Sequence, residues 1–219
     1  MCGSTEGTLL SVIQKFLERE GILPPASGVH EPQLRGERYQ GPEWKKEQLT
    51  RLAHAVSIIP WGEARTTEEV LARNVGTCTG KHLLLQACFD KLGIKYRPVV
   101  CTFRWGEQKM NLPSTLQKIL DEGEWVHGHN FVQIRGKGGK WIDLDITWDP
   151  LLKTYGFLTL PEDWDGCTPF IGLRSMVNRW DGASLTDKKS EITGSLTPTL
   201  LERRERFLRE FIQWIDSLR

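Results

Sequence analysis

Residues 76–100 read GTCTGKHLLLQACFDKLGIKYRPVV, and this stretch predicts a helix followed directly by a strand. The helix is predicted over 78–92, because apolar residues recur at helical spacing and Gly93 supplies a stop. The strand is predicted over 94–105, where aromatic and β-branched residues are frequent. Cys78 therefore opens the helix, where free backbone N–H groups and the helix dipole favour negative charge. The apolar stripe of the helix consists of Leu84, Leu85, Cys88, Phe89 and Leu92.

The flanking sequence predicts helices before this stretch and a hairpin after it. Helices first, an antiparallel sheet in the middle and a closing amphipathic helix indicate an α+β class. Residues 22–42 are rich in proline, glycine and charge and predict an irregular segment, and 148–198 predict loops and short strands. The further helices are predicted at 8–20, 42–58, 66–73, 113–120 and 199–218, and the hairpin strands lie near 126–135 and 140–147.

The composition predicts a single domain of 219 residues with a real core, since 39% of the residues are hydrophobic and 26% are charged. We expect a core at about 60–150, an N-terminal helical extension at 1–59, and C-terminal loops and a helix at 151–219. The formal net charge of +1 provides no field to attract nucleic acid or an anionic membrane. We therefore expect neither as a partner.

The cysteines indicate a reducing, cytoplasmic location. There are five of them, at positions 2, 78, 88, 101 and 167, and no two form a CxxC pair. An odd number without close pairs argues against a disulfide framework and against a structural zinc site. The first residues also lack the basic start and apolar core of a signal peptide. No cofactor is indicated.

Strand parity predicts which polar residues of the hairpin can meet. Alternate side chains share a face, so Asp143 and Asp145 lie on one face of the second strand. The opposite faces of both strands are nearly all apolar, and we expect them to lie together on a core. His129 joins the two aspartates if the connection has an odd number of residues, which would pair His129 directly with Asp145. A connection of three or five residues is therefore predicted.

Cys78, His129 and Asp145 follow the chain order of a thiol acyl-transfer site. A thiol at a helix start has a raised thiolate fraction, His129 would take and return its proton, and Asp145 would orient the imidazole. Three alternatives stay open: Cys78 is a buried thiol without a catalytic role, Asp143 replaces Asp145, or His127, His129, Asp143 and Asp145 form a metal cluster.

The motifs around these residues resemble the transglutaminase-like superfamily. GTC at 76–78, with the leucine-rich helix and LGIKYRPVV at 92–100, is similar to the Gly-x-Cys, helix and Leu-Gly-Ile-x-x-Arg-x-Val of that family. HNFVQI at 129–134 is similar to its His-Ala-Trp-Val-Glu-Val strand. WIDLDIT at 141–147 is similar to its Trp-Val-x-Val-Asp-Pro-Thr, which selects Asp145 as the acid.

The resemblance implies a papain-like core and a cysteine protease, amidase or amide-forming acyltransferase that works through a thioester. The implied substrate is a peptide, an amide or an acyl thioester, with water or an amine as acceptor. Trp61 is the implied oxyanion donor, and the insertion 106–124 would form a lid or one wall of the acyl groove. An arylamine N-acetyltransferase-like enzyme using acyl-CoA and a non-catalytic transglutaminase-like binding module are the alternatives.

Overall fold

A four-stranded antiparallel sheet lies at the centre of the protein. The computed structural model describes residues 4–24 and 46–219. Within this part the strands follow the order β3-β2-β1-β4, so the long strands β1 and β2 occupy the middle. The strands are β1 (Tyr96–Phe103), β2 (His127–Arg135), β3 (Trp141–Leu144) and β4 (Asn178–Asp181).

Helices precede, interrupt and follow the sheet, and the predicted α+β class is confirmed. None of the helices in 4–24 and 46–219 has both the length and the apolar character that a membrane-spanning helix requires. Short 3₁₀ segments occur at Gly106–Gln108, Lys137–Gly139 and Pro150–Tyr155. The α-helices are α1 (Ser4–Arg19), α2 (Lys46–Ser57), α3 (Thr67–Arg73), α4 (Cys78–Leu92), α5 (Ser114–Asp121), α6 (Leu185–Gly194) and α7 (Pro198–Ser217).

The sheet separates two buried cores. We call the first the helical core, because α1, α2 and α4 pack there on the apolar residues of the hairpin, as predicted. The second, the aromatic core, lies between the other sheet face and helices α5 and α7. The hairpin contributes Val132, Ile134, Ile142, Leu144 and Ile146 to the helical core. The aromatic core includes Trp61, Phe103, Trp105, Trp125, Phe131, Trp148, Phe157, Phe207 and Phe211.

Helix α4 begins where the sequence predicted, because its first turn is capped. The side chain of Thr77 accepts a hydrogen bond from the N–H of Gly80, and Gly93 ends the helix with φ 68°. Gly80 also lies against the segment before α3. A Cβ at this position would come 2.4 Å from the carbonyl oxygen of Ala64. The absence of a side chain therefore allows the start of α4 to approach that segment closely.

The predicted boundaries agree closely for most elements. Helix α3 was predicted at 66–73, and a capping box between Thr66 and Glu69 starts it. The predicted helix at 42–58 is described only from Lys46, where α2 begins, and most of the predicted irregular segment 22–42 lies outside the described residues. The prediction for 148–198 was incomplete, because it missed helix α6.

Candidate active site

The start of α4 and the middle of β2 place Cys78 beside His129. The thiol is half-buried, and its interaction with the His129 ring lowers the pKa of Cys78 and raises that of His129. The other side of that ring faces Asp145, with 2.7 Å between His129 Nε2 and Asp145 Oδ2. Because Asp145 occupies Nε2, Nδ1 is the nitrogen that remains for the thiol. The structure thus brings together the three residues selected from the sequence.

The carboxylate of Asp145 is fully buried and held by four donors. Its Oδ2 accepts from His129 and from the N–H of Gly172 at 3.0 Å. Its Oδ1 accepts from both the hydroxyl of Thr147 at 2.6 Å and the N–H of Thr147 at 3.1 Å. This set of donors fixes the orientation of the carboxylate, and through it the orientation of the imidazole.

The electrostatics of the three groups favour a thiolate–imidazolium pair. Burial alone would raise the pKa of Cys78, but the Lys189 ammonium and His129 together lower it to about 6. Burial alone would lower the pKa of His129, but Asp145 and Cys78 raise it to about 9. Burial would raise the pKa of Asp145, yet the His129 charge and hydrogen bonds hold it well below its usual range. Between about pH 6 and 9 the ion pair therefore predominates.

Two other thiols in the protein are much less acidic than that of Cys78. Cys88 and Cys101 are buried, and burial raises the pKa of both, that of Cys88 to about 12. Cys101 is paired with His129 across β1 and β2 but lies within the aromatic core. Pairing with His129 in the ladder is thus not sufficient to lower the pKa of a thiol. Cys78 differs from Cys101 because, at the start of its helix, it also lies next to Lys189.

The hairpin confirms one geometric prediction and corrects another. Residues 136–140 form a five-residue connection between β2 and β3, as predicted. The predicted direct pairing of His129 with Asp145 is wrong. The ladder starts at Arg135↔Trp141 and ends at Val132↔Leu144, so Asp145 follows the last paired residue. It is held there by its backbone N–H, which donates to the carbonyl of Phe170 at 3.0 Å.

Asp143 points to a different set of partners. Its two oxygens accept from the Arg179 guanidinium at 2.7 and 2.9 Å, and Oδ1 also accepts from Gln133 at 2.7 Å. Asp145, not Asp143, is therefore the carboxylate at the His129 ring. Within the described part of the chain, no group of three or more His, Cys, Asp or Glu side chains is arranged to hold a metal ion.

His82 contacts the site as a fixed neutral ring. Its Nδ1 lies 2.7 Å from the carbonyl oxygen of Cys78, and its Nε2 accepts from the N–H of Ile146 at 3.2 Å. These partners require the proton on Nδ1. Burial lowers the pKa of His82 to about 4, which agrees with the neutral form. His82 thus connects the backbone at the nucleophile to the backbone beside Asp145.

Helix α6 carries a residue of the site that sequence reasoning missed. Lys189 Nζ lies 3.4 Å from the Cys78 sulfur and donates to Thr79 Oγ1 at 2.7 Å and to Asn130 Oδ1 at 2.5 Å. Asn130 in turn donates from Nδ2 to the carbonyl of Cys78 at 3.3 Å. The pair Ser184 and Asp187, in which the Ser184 side chain accepts from the Asp187 N–H, was the available signal for this helix.

Trp61 lies at the site and its backbone is fixed from two sides. Its N–H donates to Asp149 Oδ2 at 2.7 Å, and its carbonyl accepts from Arg219 at 2.7 Å. Arg219 also donates to the same Asp149 oxygen at 2.8 Å. Asp149 is buried and serves as the anchor of the Trp61 segment.

A buried lysine ties this segment to the end of the hairpin. Lys81 Nζ donates to the carbonyls of Ser57, Ile59 and Thr147 at 2.9, 2.9 and 3.0 Å. Burial lowers the pKa of Lys81 to about 7. Three carbonyl acceptors nevertheless match the three donors of an ammonium, so we assign the charged form. Lys81 therefore holds together the backbones next to Trp61 and Asp145.

A cavity of about 490 Å³ opens beside Cys78. The start of α4 and Trp61 form part of its lining, and α6 and α7 form much of the rest. No residue of the insertion 106–124 is among the lining residues, so the interpretation of that insertion as a wall of the groove is wrong for this cavity. Helix α5 instead packs into the aromatic core through Leu116, Ile119 and Leu120.

Comparison with protein-family models finds no matching family, and comparison with curated proteins finds no matching sequence.

Proposed function

We propose that the protein is a cysteine-dependent acyl-transfer enzyme with a transglutaminase-like, papain-like core and a Cys78–His129–Asp145 triad. The observation that carries the proposal is the convergence of the Cys78 thiol, the His129 ring and the buried Asp145 carboxylate, with 2.7 Å between His129 Nε2 and Asp145 Oδ2. A structural cysteine has no need of an oriented imidazole and a pKa lowered to about 6. The open cavity beside the sulfur provides room for an acyl group.

The first half-reaction forms a thioester. The Cys78 thiolate attacks the carbonyl carbon of an amide, ester or thioester, so that the S–C bond forms and the carbonyl oxygen gains negative charge. The bond to the leaving group then breaks, and the leaving group takes the proton from His129. The N–H of Cys78 occupies the first helical position, where it has no partner within the helix, and is one oxyanion donor. Trp61, in the cavity lining, is the second candidate.

The second half-reaction releases the acyl group. Water or an amine attacks the thioester carbon and gives its proton to His129, and the sulfur leaves as thiolate. Asp145 keeps its charge throughout and stabilises the imidazolium. Hydrolysis and amide formation differ only in which acceptor reaches the thioester, so both belong to the proposed chemistry.

The test uses a p-nitrophenyl ester as acyl donor. We expect release of p-nitrophenolate and, in rapidly quenched samples, an acyl adduct that peptide mapping places on Cys78. His129→Ala should slow acylation by roughly a hundredfold or more, in the range of general acid–base catalysis. Free acid as the product indicates hydrolysis, and an amide formed with added glycine methyl ester indicates transfer.

Asp145→Asn and Asp143→Asn form a matched pair for the third position. Both remove one negative charge from the same face of the hairpin, but only Asp145 contacts His129. We expect a large loss of acylation rate for Asp145→Asn and a small effect for Asp143→Asn. Equal rates in both variants, or an adduct on thiols other than Cys78, would contradict the triad and favour a non-catalytic module.

A further inference from the structure

The cavity beside Cys78 has a cationic lining. Its charged side chains are Arg65, Lys189 and Arg204 on the positive side and Glu63 on the negative side. His127 also lines the cavity but is neutral, because its Nδ1 accepts from the Trp125 indole at 3.3 Å. Burial, together with the charges of Arg204 and Lys189, keeps the pKa of His127 well below its usual value. The cavity therefore presents an excess of positive charge to its contents.

Two of the three cations have no assigned partner. Lys189 is committed to Cys78, Thr79 and Asn130. The guanidinium groups of Arg65 and Arg204 have neither a hydrogen bond nor an ion pair within residues 4–24 and 46–219. The neighbouring α7 arginines Arg203 and Arg206 both lie against Glu122, whereas Arg204 lies at the cavity.

The two arginines are close enough to repel each other. Arg204 is half-buried, and burial followed by the Arg65 charge lowers the pKa of its guanidinium. Arg65 is exposed and Arg204 is half-buried, so the repulsion between them is only partly screened by solvent. An anion between them would remove the repulsion and would satisfy free N–H donors. Guanidinium groups bind planar oxyanions in a bidentate manner, with strong charge-assisted hydrogen bonds.

The apolar part of the lining fits the rest of such a ligand. Trp61 and the α7 residues Leu201, Leu208 and Ile212 contribute to the lining of the same cavity as the nucleophile and the two arginines. A short aliphatic chain can contact these side chains between a reacting carbonyl at Cys78 and a charged end at the arginines.

We propose that the acyl donor carries an anionic group, a carboxylate or a phosphate, that Arg65 and Arg204 bind while Cys78 attacks the carbonyl. This inference rests on the proposed acyl-transfer function and names its substrate class. Arg65 and Arg204 are then specificity-determining residues, because they contact the substrate at a distance from the reacting atoms.

The experiment compares two p-nitrophenyl esters of the same shape. Mono-p-nitrophenyl glutarate has a terminal carboxylate, and p-nitrophenyl 5-methylhexanoate has two methyl groups in place of the carboxylate oxygens. In both cases the Cys78 thiolate forms the S–C bond, and p-nitrophenolate leaves with the electron pair of the broken C–O bond. We expect kcat/KM for the glutarate to exceed that for the neutral ester by roughly ten- to a hundredfold, the range of hydrogen bonds to charged groups.

Substitutions test whether Arg65 and Arg204 cause the preference for the anionic ester. The double variant Arg65→Gln/Arg204→Gln should lose the preference, because kcat/KM for the glutarate falls toward that for the neutral ester. Arg204→Glu should reverse the preference. Arg209→Gln is the matched control, because it removes the same charge from an exposed position on α7 outside the cavity lining. Glutarate and inorganic phosphate are also tested as inhibitors of the reaction with the neutral ester. Stronger inhibition by glutarate indicates a site for a carboxylate, and stronger inhibition by phosphate indicates a site for a phosphate.

The outcomes separate this inference from the proposed function. Acylation of Cys78 by both esters at equal rates, or a preference unchanged in the double variant, overturns the anion site and leaves acyl transfer intact. If neither ester acylates Cys78, the proposed function is overturned, and the anion site with it. If Arg209→Gln loses the preference to the same extent as the double variant, the preference comes from net charge alone, and the anion site is overturned.

Discussion

The Cys78 sulfur has two cationic neighbours that come from different parts of the chain, His129 on β2 and Lys189 on α6. Each stabilises the thiolate over the thiol, and together they outweigh burial. Lys189 also holds Thr79 and Asn130, so its ammonium is fixed in position rather than free to rotate away. The acidity of the thiol therefore depends on a helix that is distant in sequence.

The pH dependence of alkylation tests this dependence. In a Cys167→Ser background, which removes an exposed thiol, the rate of iodoacetamide labelling at Cys78 should rise with pH around a midpoint of about 6. The thiolate exists above its pKa, so removing a cation moves the midpoint to higher pH. Near pH 6, Lys189→Met should therefore label more slowly, by about fivefold if the pKa of Cys78 rises from about 6 to about 7, because the thiolate fraction falls from about a half to about a tenth.

Lys188→Met is the control for this prediction. Lys188 is adjacent in sequence but contacts Glu191 and the Trp180 ring instead of Cys78. Its removal should leave the labelling profile unchanged. The same midpoint in the native protein and in Lys189→Met would contradict the role of Lys189.

At the residue scale, the sequence revealed the groups that lie in local motifs. Cys78 was recognisable from a helix start, and parity placed His129 and Asp145 on one face. Lys189 and Asn130 were not recognisable. Asn130 was assigned to an apolar strand face, and the role of Lys189 exists only because α6 folds back over β1 and β2. Contacts of this kind leave no periodic signal in the sequence.

The start of α4 is the element on which the position of the nucleophile depends. The N–H and hydroxyl of Thr77 both donate to the carbonyl of Ala64, at 2.9 and 3.2 Å. Gly80 permits this approach, since a Cβ there would collide with the same oxygen. The start of α4, which carries Cys78, therefore packs directly against the segment before α3.

Gly80→Ala should therefore destabilise the protein, although alanine is the better helix former. The alanine gains up to about 1 kcal/mol of helix propensity, whereas forcing the extra methyl into a packed site typically loses about 1–3 kcal/mol. We expect a net loss of unfolding free energy in urea titration and slower acylation of Cys78. In Gly194→Ala, where nothing lies within 4 Å of an added Cβ, the unfolding free energy should be equal or higher. Equal stability of Gly80→Ala and the native protein would argue against the contact.

Elements with a clear apolar period were predictable, and those without one were not. Helices α4 and α7 were predicted to within about a residue, because one face of each is buried. Helix α6 has no buried residue. Its sequence is rich in charged and hydroxyl residues, so neither periodicity nor propensity indicated a helix.

At the scale of the whole molecule, the two cores have different consequences for the site. Phe211 lies in the aromatic core and contacts the edge of Trp61 with ring centroids 5.0 Å apart. Phe16 lies in the helical core with a similar degree of burial. The cavity beside Cys78 lies on the side of the aromatic core, because α7 contributes to both.

Phe211→Ala and Phe16→Ala should separate stability from activity. Truncating a buried phenylalanine typically destabilises a protein by about 3–5 kcal/mol, and we expect losses of this size in both variants by urea denaturation. Under conditions where both remain folded, Phe211→Ala should show the greater loss of kcat/KM, since Trp61 loses its support. Equal losses of kcat/KM in the two variants would contradict this division.

The α+β class followed from the order of the predicted elements, but the return of the C-terminal region to the site did not. Asp149, Lys189, Arg204 and Arg219 all reach the surroundings of Cys78 or Trp61 from beyond the hairpin. The long-range packing of that region depends on the aromatic core as a whole. No short motif encodes it.

The cavity lining extends along the chain from Trp61 to Ile212, whereas the three proposed catalytic residues lie between 78 and 145. Contacts between such distant segments form slowly in folding, because a long loop must close before they stabilise anything. A ribosome also delivers the triad before it delivers α6 and α7. A nascent chain therefore contains Cys78, His129 and Asp145 before the cavity beside them is complete, so under the proposed function it can bind an acyl donor only when the last helix docks.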